Sequence, residues 1–201
     1  YKAINSFILF LNPPDHQRIR TFVSKTWDRE GMNEVIGEVA DQLLGNLSGS
    51  FDLVKDFAQP LPAMVTCKMM GIEIEQHQHL RKLGVTMTSS LNLYNSWKDI
   101  VQLNSASGEF VNYFGQLVIE KRKNPDHGLV SRLVQVNDRD KVINEAQMIS
   151  LLIFIFVAGE ETTSHSIGAA LYNLVRTGRY KQLRSNPGLA RTAIEELFRF
   201  D

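Results

Sequence analysis

The stretch from Asn144 to Val175 constrains this chain most, because it keeps a helical pattern for more than thirty residues. Its middle, Leu151 to Ala158, is apolar on every face. A helix apolar all round has to be enclosed by the rest of the chain, and eight residues are too few to cross a bilayer. The expectation is a single all-α domain, residues 1–201, folded around this central helix with little strand. The length of 201 residues allows one sizeable core, and 43% apolar residues is an ordinary globular content.

The flanking segments read as further helices. Asn12-Pro13-Pro14-Asp15 is a helix start, with Asn12 as cap, proline in the first turn and Asp15 at the positive end of the dipole. That helix is expected to run to about Trp27. Val35, Val39, Leu43 and Leu47 stand at four-residue spacing, so 32–47 reads as amphipathic. Phe51 to Phe57 alternates weakly and reads as a short strand. Gln59 to Met70 reads as a buried helix with Gly71 as its stop. Two longer helices are expected over 74–90 and 96–123. The second ends in Lys121-Arg122-Lys123, which suits a helix C-terminus and could also be a binding patch. Residues 124–128 break the chain, a short helix spans Leu129 to Val136, and 137–141 reads as a polar turn. Helices over 179–185 and 187–200 complete the pattern.

Charge and cysteine content remove some functions. Twenty-two basic and 22 acidic residues cancel, which argues against nucleic acid and anionic membrane as partners. The apolar segment in Tyr1 to Leu11 is too short to span a bilayer. The lone Cys67 cannot form an intramolecular disulfide or a zinc site built on two thiolates. With no secretory signal this points to a reducing cytoplasm. His77 and His79 are two residues apart, do not share a helix face and read as surface residues, so no metal site is expected. The chain opens without methionine, as an excised piece of a longer one would.

Three groups of residues could carry chemistry. Ala158-Gly159-Glu160-Glu161-Thr162-Thr163 interrupts the central helix with glycine, acids and hydroxyls. Thr162 and Thr163 can turn back to the carbonyls of Ala158 and Gly159, bending or opening the helix. Such a helix either kinks near its exit or makes room for something beside it. His16 and Arg20, at i and i+4, form a cationic pair on one face, either solvated or able to clamp a carboxylate or phosphate. Glu196 and Arg199, at i and i+3, fit a helix ion pair.

In order, these pieces resemble the cytochrome P450 family of soluble bacterial type. Asn12-Pro-Pro-Asp-His16-Gln-Arg-Ile-Arg20 is similar to the D-P-P-x-H-x-x-x-R segment of the family's helix C, with Asn12 where Asp is usual. Ala158 to Thr163 matches the A-G-x-[DE]-T-T signature of its helix I, and Glu196-Leu-Phe-Arg199 the E-x-x-R of its helix K. Phe51 to Gly71 resembles the stretch through helix E.

The resemblance implies a helix C to helix K portion of a haem-thiolate monooxygenase, which inserts one oxygen atom into a small organic substrate. It implies that His16 and Arg20 hold the haem propionates and that Ala158 and Gly159 lie at the haem face. Glu161 and Thr162 would deliver protons, and Glu196 with Arg199 would form a structural pair. A substrate-pocket region before this portion and a loop with the iron-ligating cysteine after it would lie outside the chain, leaving no iron ligand within it. Cys67 falls on the apolar face of a buried helix. An electron-donor protein would be a partner. The alternative is a haem-free relative that binds a protein partner or a second copy through apolar surface left by helices I and K.

Overall fold

The computed structural model describes residues 7–89 and 96–200. The first part of the segment Tyr1 to Leu11, the last residue of the helix expected over 74–90, and Asp201 lie outside the described residues.

Nine α-helices form there: α1 (Asp15–Thr26), α2 (Arg29–Gly45), α3 (Pro60–Met70), α4 (His77–Ser89), α5 (Trp97–Lys123), α6 (Leu129–Asp140), α7 (Glu145–Arg176), α8 (Tyr180–Ser185) and α9 (Ala190–Phe200). No strand occurs among the described residues. The strand expected over 51–57 is instead a π-helical turn at Val54–Ala58. The Asp52 carboxylate accepts from the backbone N–H groups of Val54 and Lys55 and thereby starts a helical turn.

Local chemistry sets the helix ends. Asn144 caps α7 by accepting from the N–H of Gln147, whose side chain accepts from the N–H of Asn144 in return. Ser96 and Asp99 make the same box at the start of α5. Gly71 stops α3 at φ 76, ψ 34, a left-handed conformation that glycine enters without a side-chain penalty. Two expected ends shift. Asn12 offers its backbone carbonyl to the N–H of His16 rather than a side-chain cap, and α1 starts at Asp15. The polar stretch 137–140 stays helical, because the amide of buried Asn137 donates to and accepts from the Ile143 backbone at 2.9 Å each way.

The core sits where α3, α4 and α5 pack against the first half of α7, with α6 behind α5 and α1 against α6. Phe110 and Phe114 of α5 stack at 5.8 Å, and Phe156 of α7 tilts onto both at 6.0 and 6.4 Å. Full burial of each such ring contributes roughly 1.5–3 kcal/mol. By length and composition α7 could cross a membrane, but its apolar residues from Leu151 to Val157 pack into this protein core. The helix runs unbroken through Ala158 to Thr163. Thr162 does turn back to the Ala158 carbonyl at 3.0 Å, and the backbone absorbs this without losing its helical pattern.

Candidate functional site

The three-residue helical turn Ile8–Phe10, the end of α4 and the middle of α7 enclose a groove of about 490 Å³. Its floor is Phe154, Val157, Ala158, Glu161, Thr162 and His165 of α7. Val85, Met87, Thr88 and Ser89 form one wall, and Phe7, Leu9 and Phe10 the other. Phe7 is anchored by its ring against Phe154 at 5.5 Å.

Helical period sorts the signature on α7 into two faces. Ile153, Phe156, Glu160 and Ser164 are buried on one, while Phe154, Ala158, Glu161, Thr162 and His165 line the groove on the other. The adjacent acids thus meet different surroundings. Glu161 is half-buried in the groove floor. Glu160 is 2% exposed, with its Oε1 2.9 Å from Arg81 Nε of α4. Burial pushes the Glu160 carboxyl above the usual carboxylate range, and the charge of Arg81 offsets this only in part. Gly159 does not line the groove. It faces α3, where a Cβ would stand 3.3 Å from Thr66 Oγ1, so glycine there lets α3 and α7 approach closely. Thr162 donates to the Ala158 carbonyl, which leaves its oxygen free to accept.

On α1, His16 is half-buried and Arg20 exposed. Arg18, between them, is engaged with Asp15 at 2.7 Å. Neither His16 nor Arg20 forms an ion pair among the described residues. Neither lines the groove, so the two expected groups stand apart rather than in one cavity. Glu196 and Arg199 make a two-bond pair at 2.7 and 2.8 Å on the exposed side of α9.

Cys67 is fully buried in α3, and burial pushes its thiol up to about 12. It stays a thiol and cannot act as a thiolate where it stands. His77 Nδ1 lies 2.7 Å from the Ile74 carbonyl, and His79 pairs with Glu109 at 3.0 Å, so the two rings serve different partners. Lys121 and Arg122 pair with Asp126 and Asp138. The Arg81–Glu160 contact was not visible in the sequence. Its one trace is a pair of charges at otherwise apolar positions, Arg81 beside Leu80 and Glu160 after Val157.

No family model matches the chain. Curated relatives do. A cytochrome P450 of Bacillus subtilis (strain 168) is 31% identical over 205 residues, covering 99% of this chain and 49% of the relative. The vitamin D(3) 25-hydroxylase of Pseudonocardia autotrophica is 32% identical over 201 residues, covering 96% of this chain and 48% of the relative. Among solved structures, P450BioI in complex with acyl carrier protein ligated to hexadec-9Z-enoic acid matches at TM-score 0.87 and 27% identity, covering 100% of this chain and 53% of that one. Myxobacterial cytochrome P450 CYP267B1 in complex with myristic acid matches at TM-score 0.88 and 28% identity, covering 98% and 50%. The chain spans about half the length of the relatives it matches.

Proposed function

We propose, from the premise that this chain belongs to the cytochrome P450 family of soluble bacterial type, that its groove is the oxygen side of a monooxygenase haem site. The observation that carries this reading is the groove face of α7, where Ala158, Glu161 and Thr162 stand together beside an apolar wall.

Haem fits the residues present in two respects. His16 and Arg20 are nitrogen donors without an acidic partner among the described residues, as propionate ligands need to be, whereas Arg18 beside them is already paired. Ala158 presents a small exposed side chain to the groove and leaves room for a flat ring. In one respect the residues do not supply the site: Cys67 is a buried thiol and no axial ligand. When bound through a thiolate, haem supplies oxygen activation, the sulfur donating electron density that favours O–O cleavage.

This chain's own contribution is binding and proton handling. His16 and Arg20 would fix the propionates and so orient the ring. The Glu161 carboxylate would take and release protons at the groove floor, and the Thr162 hydroxyl oxygen would accept a hydrogen bond from a water held there. Glu196 and Arg199 would stiffen α9. The substrate would be a small, largely apolar organic molecule. The groove lining supports this, as do the fatty acyl ligands of the two solved relatives. An electron-donor protein would supply reducing equivalents.

The test is a reduced carbon-monoxide difference spectrum of the protein purified from cells, alongside haemin titration of His16→Gln/Arg20→Gln. Expected are a Soret band of protein-bound haem, shifted to long wavelength only where a thiolate other than Cys67 reaches the iron, and at least tenfold weaker haemin binding by the double variant. A protein that takes up no haem sinks the reading.

One observation favours a second reading, a haem-free partner or dimerising module. Tyr172, Val175, Ile194 and Phe198 are each more than half exposed along the end of α7 and on α9. That reading expects self-association or a co-purifying protein by light scattering, and a clean monomer that binds haemin excludes it.

A further inference from the structure

Glu160 lies beneath α4, on the side of α7 turned away from the groove. Its Oε1 and Arg81 Nε are 2.9 Å apart, both are cut off from solvent, and neither makes an aligned hydrogen bond. Coulomb attraction therefore holds this contact, rather than a fitted fork of N–H groups. Gly84, three residues after Arg81, leaves the space: a Cβ there would stand 3.9 Å from Glu160 Oε2. An apolar residue at 160 would avoid the desolvation that a buried carboxylate incurs, so fold stability alone gives no reason for the pair. The Arg81 side chain keeps 27% of its surface in solvent and can swing outward without stranding its charge. The same helix, one turn on, carries Val85, Met87, Thr88 and Ser89, the residues that wall the groove.

We propose that Arg81 and Glu160 are positioning residues whose contact sets how closely α4 closes over the groove, and so the width open to an apolar substrate. The link to substrate rests on the reading of the groove given above, while the contact itself does not need haem. Closed, the pair ties the wall to the floor of the groove. Separated, α4 is held by its buried Leu80, Leu83 and Met87 and by the His79–Glu109 contact to α5.

The experiment is native hydrogen–deuterium exchange on the chain without haem, for Arg81→Gln, Glu160→Gln and the double variant, with Nile red as a neutral apolar probe of the groove. Each single variant is expected to speed exchange over residues 77–89 about tenfold while 148–157 keeps its wild-type rate. The double variant is expected to be no faster than either single one, Arg81→Lys to stay near wild type, and Nile red affinity to change several-fold in step. Unchanged α4 exchange, equal acceleration in all helices, strictly additive effects, or Nile red binding that ignores the variants each overturn the proposal. Should a single variant fail to fold, Arg81→Met/Glu160→Leu leaves no buried charge and is expected to fold with altered exchange in α4 alone; wild-type exchange there overturns the proposal equally. Because no haem is needed, loss of the monooxygenase reading and loss of this contact are separate results.

Discussion

The two halves of α7 have the same backbone and opposite surroundings. From Met148 to Val157 the helix packs against α3, α4 and α5, and six apolar residues of it, Met148, Leu151, Leu152, Ile153, Phe156 and Val157, are buried in the core. Beyond Glu161 only Ser164 and Asn173 are buried, and no residue of α8 or α9 is buried among those described. The first half holds the fold together and the second presents side chains. The change falls at Ala158–Thr163, where the groove opens. Functional groups at the edge of a rigid core inherit its positional precision while staying reachable.

The largest expected effect tests this contrast directly. Phe156→Ala should cost about 3–5 kcal/mol in denaturant unfolding, because it empties a site packed between Phe110 and Phe114. Phe198→Ala, at a ring 63% exposed, should change stability by less than about 0.5 kcal/mol. Similar costs for the two would erase the contrast. Ion pairs should follow the same rule. Arg81→Met leaves a buried carboxylate and should cost about 2 kcal/mol, below the full cost for a buried pair because Arg81 is partly solvated. Arg199→Met, in an exposed pair, should leave the unfolding midpoint where it is.

Glycines sharpen the comparison further. Gly71 and Gly178 both have left-handed φ, 76° and 69°. Gly178→Ala meets nothing within 4 Å and should cost only the backbone penalty, about 1 kcal/mol. Gly71→Ala would place a Cβ 2.7 Å from Asp126 Oδ2 and should cost about twice that, since Asp126 also holds Lys121, Ser131 and Gly128.

The smallest effect is one of pH. Glu160 has a folded value above its unfolded one, so it binds more protons when folded, and its contribution falls as pH rises from the ordinary carboxylate range through the raised value. The charged groups that bear on it are Arg81 from α4 and Glu161 and His165 from α7. Asp126 has the opposite sign. Burial raises it, but hydrogen bonds from Lys121, Ser131 and Gly128 outweigh burial and hold it low, so its contribution is lost as pH falls. Stability-versus-pH curves of wild type and Glu160→Gln should diverge just above the ordinary carboxylate range. Parallel curves would contradict a raised Glu160.

What the sequence disclosed follows the same division. The core half of α7 was legible because all-round apolarity has one structural meaning, and Gly71 announces its helix end by local chemistry. The turn at Val54–Ala58 was not, because Phe51, Leu53 and Phe57 mimic a strand while the deciding bond comes from Asp52. Asn137 read as a turn residue, since its bonds to Ile143 depend on the chain folding back. At the site, spacing marked His16 with Arg20 and the polar interruption 158–163, within which the resemblance singled out Glu161 with Thr162. It could not show that Glu160 turns inward to Arg81, because that contact exists only once α4 lies on α7.

The central proposal is that α1 and the groove face of α7 carry residues able to hold haem propionates and to face bound oxygen. Hydrogen–deuterium exchange with and without haemin tests it most directly. The account predicts new protection at residues 16–20 and 158–165, with 148–157 already slow and unchanged. Protection confined to α3 around Cys67, or no change along the chain, would contradict it.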